Sequence, residues 1–494
     1  MELQFPKNAF GYLRRAAWEI KNEEQTQEIR LADSFPDIGR ILGTWGQPLV
    51  RSKEWHGSSM RVSGGIMAWV LYMPEEVGAP RCVETWIPFQ IHWDFPQTQH
   101  DAAMRVACQL KGIDARSVSA RKIMVRSLVS AVGEALEPVH TEIYHPEAVP
   151  EDVQMRKQDY HICLPVEAGE TVVTLDEELT PNSSSGQINR IIYCSMEPEL
   201  IDQKMMGDKV VYRGNACVHF MCACDDEQIC GFDFDIPFSQ YAQLERLYDG
   251  GATADVMLAA TNLEIDVQEN GMLRLKAGIV GQHVVYDKST LEIVTDAYSI
   301  KRSATLRYQP LELPAVLDMR QEILKAESTI DEEMQILDAA ICLPQPDQHR
   351  EYQKIRMEIP GSVQILGNGN EDTLIGSSMR WQKELEVPID EEAEILARSR
   401  PKGRKQISGK NVNWDFAVDM LATAMTDIPM VTGMELGELI EENPDKPSLI
   451  LRRVGDSSLW DIAKTYRSTV SSIREANGLT DDPLDDHVLL IPVS

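Results

Sequence analysis

Residues 217–230 read CVHFMCACDDEQIC, four cysteines and a histidine within fourteen positions of a chain that holds nine cysteines in all. Cysteine and histidine at this density suit two chemistries, a tetrahedral zinc site or a thiol–disulfide centre. The local backbone decides between them. In an extended strand successive side chains point to opposite faces, so Cys217 and His219 face one way and Cys222 and Cys224 the other. Four ligands cannot then converge on one ion without a bulge, and no metal is expected. Cys222 reads as a small apolar core residue. Cys224 and Cys230 flank the turn DDEQI, where a hairpin would bring the two thiols close enough to oxidise.

That this stretch is a strand follows from an internal repeat. RVSGGIMAWVLY (61–72) and VYRGNACVHFMC (211–222) align at an offset of 150, with Gly64 on Gly214, Ile66 on Ala216, Val70 on Phe220 and Tyr72 on Cys222. Alternate positions are apolar in both, Val62, Ile66, Ala68 and Val70 in one, Tyr212, Ala216, Val218 and Phe220 in the other. That period of two is the pattern of a half-buried strand. Met67, Trp69, Tyr72 and Pro74 occupy the places of the second copy's thiols and histidine. Both strands lead through a polar turn to a second extended run ending in Ile-Pro-Phe, at 84–89 and 232–238, and then to a further pair, 120–129 and 269–278, with Ile123 on Leu273. A divergent third copy is expected in EIPGSVQIL (358–366), RWQKELEVPI (380–389) and NVNWDFAVDML (411–421), with Pro388 in the place of Pro237.

At 494 residues the chain exceeds one core and should divide into three or four domains. Acidic residues number 78 against 48 basic ones, a formal charge of −30 that would repel nucleic-acid phosphates, so nucleic acid is not expected as a partner. No window approaches the ~20 apolar residues of a membrane span, and the N-terminus lacks the apolar run of a signal peptide. With the odd cysteine count, this predicts a protein kept in the cytoplasm.

Enzyme signatures are missing: neither G-x-S-x-G nor H-E-x-x-H occurs. GRKQISGKN (403–411) has one residue too many between its glycines for a phosphate loop, and Asn411 stands where a magnesium-binding Ser or Thr is needed. A non-enzymatic protein without a cofactor is therefore expected. The surrounding run RSRPKGRKQISGK (398–410) carries six basic residues and no acidic one. Arg400, Lys402, Arg404 and Lys405 are a candidate docking patch for an acidic partner or a membrane phosphate, or else a solvated hairpin tip of copy three.

The last 48 residues differ in kind, reading strand, helix, helix, strand. LILRRV is the first strand and VLLIP the last. Asp456 or Ser457 can cap a helix carrying Leu459, Trp460, Ile462, Ala463 and Tyr466, with Trp460 on its apolar stripe; Ser468 or Thr469 can cap a second, stopped by Asn477-Gly478. Gly455-Asp456, Leu459-Trp460, Ile462-Ala463, Tyr466, Ala476-Asn477-Gly478-Leu479 and Leu489 to Pro492 together resemble the LysM domain. The resemblance implies binding of an N-acetylglucosamine-containing glycan in a groove between two loops, here Gly455, Asp456, Ser457 and Ser458, and Asn477, Gly478, Leu479, Thr480 and Asp481. The first loop has an extra serine, and Asp481, Asp482, Asp485 and Asp486 crowd the second, which suits a protein partner bearing Lys or Arg as well as a sugar.

FPDIGRILG (35–43), the strand pairs and the IPF and DIPFSQY segments resemble SPOCS domains, found in spore-coat and morphogenetic proteins of endospore-forming Firmicutes. Tandem SPOCS units before one LysM look SipL-like. The resemblance implies a coat assembly protein at the forespore surface, in the mother-cell cytoplasm, with LysM contacting a SpoIVA-like ATPase. The alternative it leaves open is a peptidoglycan-binding protein of cortex or cell wall. The expected fold is multidomain and mainly β: tandem β-rich SPOCS repeats followed by a small α+β (βααβ) LysM domain. Expected boundaries are an N-terminal helical segment at 1–28, repeats at 29–145 and 175–300, a divergent repeat at 310–440, and LysM at 447–494.

Overall fold

The computed structural model describes residues 2–76, 78–95, 102–181, 187–225, 228–268, 272–330, 334–370, 373–440, 447–455, 457–480 and 488–493. After the short β1 (Glu2–Gln4), the chain forms β2 (Lys7–Arg30), β3 (Ile38–His56), β4 (Ser59–Pro74), β5 (Arg81–Asp94), β6 (Ala103–Ser119) and β7 (Lys122–Tyr144). Strands β3, β4 and β5 make one antiparallel sheet; β2, β7 and β6 make a second, with β7 central. The apolar face of β4 and β5, including Val62, Ile66, Val70, Ile87 and Phe89, packs on Val125, Val129 and Ala131 of β7. Full burial of such a side chain is worth about 1.5–3 kcal/mol, which is why alternation fixes the register of these strands.

The same arrangement recurs twice. β8 (Val153–Leu179), β9 (Arg190–Met205), β10 (Lys209–Ala223), β11 (Ile229–Gln243), β12 (Thr253–Val267) and β13 (Leu273–Ser299) give the sheets β9–β10–β11 and β8–β13–β12. After β14 (Arg302–Leu311), the third unit comprises β15 (Pro314–Thr329), β16 (Gln335–Cys342), β17 (Asp347–Glu351), β18 (Lys354–Asn368), β19 (Leu374–Pro388), β20 (Glu394–Ser408) and β21 (Asn411–Met425). Here β16 and β17 share one edge of β18, separated by Leu343-Pro344-Gln345-Pro346, whose prolines cannot donate to the ladder. β22 (Ile428–Leu439) closes the body between β1 and β14. The LysM-like end adds β23 (Leu449–Arg453), α1 (Leu459–Tyr466), α2 (Val470–Asn477) and β24 (Val488–Pro492). The chain is thus mainly β with a small α+β unit at its C-terminal end, and no described helix is long and apolar enough to cross a membrane.

One register marks all three units. Gly64 lies opposite Phe89, Gly214 opposite Phe238 and Gly361 opposite Trp381. At each glycine a Cβ would collide with the opposing aromatic ring and with a carbonyl oxygen of the next strand, those of Leu49, Glu199 and Cys342. The bare backbone lets the ring lie across it.

Three expectations need correction. Residues 7–30 form not a helical segment but the strand β2, paired along its whole length with β7. Its polar half alternates because Glu24 and Glu28 stand on the outer face against Arg126 and Lys122 of β7. The first strands of units one and two also precede the expected boundaries: β2 belongs to unit one, and β8 begins well before residue 175. In copy three, the register set by Gly361 puts Arg380, not Pro388, in the place of Pro88 and Pro237; Pro388 ends β19.

The three units form a ring. β3 of the first packs on β12 of the second, β9 of the second on β20 of the third, and β16 of the third on β6 of the first. Equivalent residues therefore meet at the centre. Arg105, Asp255 and Arg398 occupy matching positions on β6, β12 and β20, and Asp255 accepts from Arg105 at 2.6 Å and from Arg398 at 2.7 Å. Glu134 holds Arg105 and Arg15, and Asp419 holds Arg398 and Arg400. Beyond this charged layer sit Leu136 and Tyr286, with Leu421 packed against them.

Candidate functional site

Helix α1 is capped by Ser458, one residue beyond the expected Ser457. Its hydroxyl accepts the Asp461 N–H at 3.1 Å, and the Asp461 carboxylate accepts the Ser458 N–H at 3.3 Å, a reciprocal capping box. The extra serine lengthens the loop and moves the cap inward. Thr469 caps α2 by accepting from Ser472 at 3.0 Å, and Gly478 ends it at φ 63, a left-handed conformation that glycine adopts without strain. Leu459, Ile462, Ala463, Ile473, Leu489 and Ile491 form the buried core of this small unit.

Of the expected groove, Gly455, Ser458, Gly478 and Thr480 are exposed, whereas Ser457, Asn477 and Leu479 are half-buried; Asp456 and Asp481 lie outside the described residues. The Asn477 side chain is committed internally. Its amide donates to the Ile473 and Leu490 carbonyls and accepts from the Leu490 N–H, all at 2.7 Å, so it latches the second loop to β24. Ser457 accepts from Arg452, whose guanidinium lies over the Tyr466 ring. The exposed hydroxyls and backbone groups of the two loops can hydrogen-bond a sugar or a peptide alike.

The LysM-like unit is docked on the body. Trp460 donates its indole N–H to Asp296 at 2.8 Å, Lys464 pairs with the same carboxylate at 2.7 Å, and the Tyr298 ring meets Trp460 edge-on, centroids 4.9 Å apart. The Tyr298 hydroxyl donates to the Ser468 carbonyl at 2.8 Å. Burial alone would raise the Asp296 pKa, yet Lys464 and Trp460 outweigh it and hold the carboxyl below its usual range. Trp460 is thus an inter-unit contact as well as part of the helix stripe. Its partners lie about 160 residues upstream, so helical spacing alone could not reveal them.

The basic run 398–405 lies on β20, and acidic groups of the chain itself meet its cations. Lys402 pairs with Glu199 at 3.1 Å, Arg404 with Asp235 at 2.8 Å and Lys405 with Asp338 at 2.6 Å, while Arg400 reaches Asp419. Glu199 and Asp235 belong to the second unit, so this arm ties units two and three together. Beside it His219 bridges two carboxylates, Asp233 at 2.8 Å and Asp338 at 3.2 Å, and Tyr193 donates to Asp338 at 2.7 Å. Burial and the Lys405 ammonium pull the His219 pKa down, but the two carboxylates prevail and its pKa is raised.

The cysteine-rich strand β10 divides its faces as its alternation requires. Cys222 and Cys224 are buried in the second unit's core, while Cys217 and His219 turn towards the ring centre. All four thiols of the hairpin, those of Cys217, Cys222, Cys224 and Cys230, are free. Cys222 lies opposite Cys230, and its sulfur is 3.7 Å from that of Cys224. Burial raises the Cys224 pKa to about 11, which keeps the thiol protonated and slow to react near neutrality.

Comparison with known protein families matches residues 187–268, which span β9 to β12, to the SipL SPOCS domain, and residues 453–484 to the LysM domain. No curated protein and no solved structure matches the chain. The chain therefore carries a SPOCS domain of the SipL type in its second unit and a LysM domain at its C-terminal end.

Proposed function

We propose that this chain is a non-enzymatic assembly protein of the spore coat, held at the forespore surface on its mother-cell side, whose LysM domain contacts a protein partner, a SpoIVA-like ATPase. The observation that carries this reading is the placement of the LysM domain. Asp296 and Tyr298 fix its α1 face to the body, and Gly455, Ser458, Gly478 and Thr480 of its two loops remain exposed. A rigid three-unit body presenting one small module suits linking components better than turning over a substrate. The charge of −30 favours a partner surface bearing Lys or Arg.

The LysM match itself favours a second reading, in which the same loops hold an N-acetylglucosamine-containing glycan of the cortex or wall. One experiment separates the two. The full chain, and a variant with Ser457→Arg and Thr480→Arg, are incubated in parallel with the purified SpoIVA-like ATPase and with insoluble peptidoglycan. Retention by the ATPase that the variant loses, at unchanged circular dichroism, is the expected result. Retention on peptidoglycan alone would establish the glycan reading in its place.

A further inference from the structure

On the Tyr286 side of the central charged layer, the three units leave a cavity of about 420 Å³ between them. Strands β2, β6 and β7 of the first unit, β9, β12 and β13 of the second, and β15, β20 and β21 of the third all contribute to its wall. Thr253, Arg320 and Gln321 of that wall are exposed, so the cavity has a rim on the solvent.

The charges inside the rim do not balance. Four guanidinium groups, those of Arg15, Arg105, Arg398 and Arg400, line the cavity with three carboxylates, those of Glu134, Asp255 and Asp419. Each carboxylate is already shared between two arginines: Glu134 between Arg15 and Arg105, Asp255 between Arg105 and Arg398, Asp419 between Arg398 and Arg400. The row of alternating charges therefore begins and ends on an arginine. One positive charge is left over at the centre of a chain whose net charge is −30. Tyr286 does not neutralise it, because burial pushes its pKa up to about 12 and its hydroxyl stays protonated, accepting from Arg15 at 3.2 Å. Arg320 at the rim adds a further positive charge.

The same wall holds N–H groups with nothing to donate to. Arg105 Nε, Arg400 Nη1 and the indole Nε1 of Trp18 are buried and have no hydrogen-bond acceptor among the described residues. The Arg105 side chain is only 3% exposed. The acceptors nearby are engaged: Asp419 takes the Gln321 amide at 2.7 Å, and the Gln203 side-chain oxygen takes the Val256 N–H at 2.9 Å. A buried donor without an acceptor is costly. Water would satisfy the donors and leave the surplus charge, whereas an anion answers both.

We infer that this cavity is a binding site for a small tetrahedral oxyanion of the phosphate class, which accepts from Arg105, Arg400 and Trp18 and neutralises the unmatched guanidinium. The unspent donors stand on three different strands, β2, β6 and β20. A carboxylate offers two oxygens, whereas a phosphate offers enough to accept from all three, and guanidinium matches its geometry. The volume lies at the lower end of the ~300–1,000 Å³ of ligand sites, so a small organic phosphate fits and inorganic phosphate is its minimal probe. An anion seated there joins strands of the first and third units and strengthens the ring by mass action. The site is separate from the LysM domain, and its test stands or falls independently of the partner experiment.

The test is calorimetric titration of the full chain with inorganic phosphate, in a chloride buffer held at an ionic strength of about 0.15 M. Saturable binding of one phosphate per chain is expected, with a dissociation constant of about 1 mM or tighter. Arg400→Gln should weaken binding at least about tenfold, and Trp18→Phe, which keeps an aromatic ring and removes the N–H, about threefold to tenfold. Arg404→Gln removes the same charge from outside this cavity and should leave the affinity unchanged. No saturable binding by the folded chain, undiminished binding by either Arg400→Gln or Trp18→Phe, or an equal loss in Arg404→Gln would overturn the proposal. Should Arg400→Gln fail to fold, the other two variants decide: binding that Trp18→Phe leaves unchanged, or that Arg404→Gln weakens, refutes it.

Discussion

His219 is the residue at which pH acts on the junction between units two and three. Facing it are Asp233 on β11, Asp338 on β16, Lys405 on β20 and the Tyr193 hydroxyl on β9. Its folded pKa is raised above the ordinary value of 6.5, so protonated His219 stabilises the fold fully below that value, and the contribution is lost as pH rises through the folded pKa. Asp338 works at the other end: its pKa is depressed, so its contribution holds above the ordinary carboxylate range and disappears only in strong acid. His219→Gln should cost about 2 kcal/mol at pH 5.5, typical of a buried charge-assisted bond, and progressively less towards pH 8. Urea denaturation of both proteins across that range checks it; a difference that grows with pH would contradict the assignment.

Among the elements, those whose stability comes from within were legible in the sequence and those held by distant partners were not. The strands at 61–72 and 211–222 alternate because each has one buried face, and their offset of 150 survives into matching register. The LysM helices announce themselves through Thr469 and Asn477-Gly478, signals confined to single turns. β2 gave no such sign. Its partner β7 lies about 90 to 140 residues on, and only that pairing makes residues 7–30 extended. Copy three lost its register because a proline was matched by type, whereas the Gly361–Trp381 pair is what the backbone keeps. The basic run of β20 was visible as composition, but Glu199 and Asp235, which meet it, sit in another unit. The docking of α1 on Asp296 belongs to the same class, and it is testable. Asp296→Ala should free the LysM domain by removing the bonds of Trp460 and Lys464, about 1–3 kcal/mol together, and limited proteolysis should then cut faster between Leu439 and Leu449. Trp460→Phe, which keeps the ring against Tyr298, should have the smaller effect.

For the whole molecule, the ring depends on charges that cannot be removed singly. Arg398 has a side chain only 7% exposed, and it satisfies Asp255 and Asp419 from two units at once. Arg398→Ala should cost about 1.5–3 kcal/mol because Asp255 and Asp419 each lose one of two arginine partners and keep Arg105 and Arg400, whereas Arg404→Ala, 42% exposed against a similarly exposed Asp235, should cost less than about 1 kcal/mol. Thermal denaturation midpoints of the two variants measure the contrast, and equal losses would show that the ring is not held at its centre. The strand order β1–β22–β14 carries a mechanical consequence. The LysM domain hangs from the Leu439 end of β22, while β22 enters from β21, and β14 leaves for β15, at the opposite end near Ile428 and Leu311. A partner that grips the LysM loops and pulls against the body therefore drags β22 lengthwise between two neighbours. Its ladder is loaded in shear, with the bonds sharing the force, and does not peel open one pair at a time.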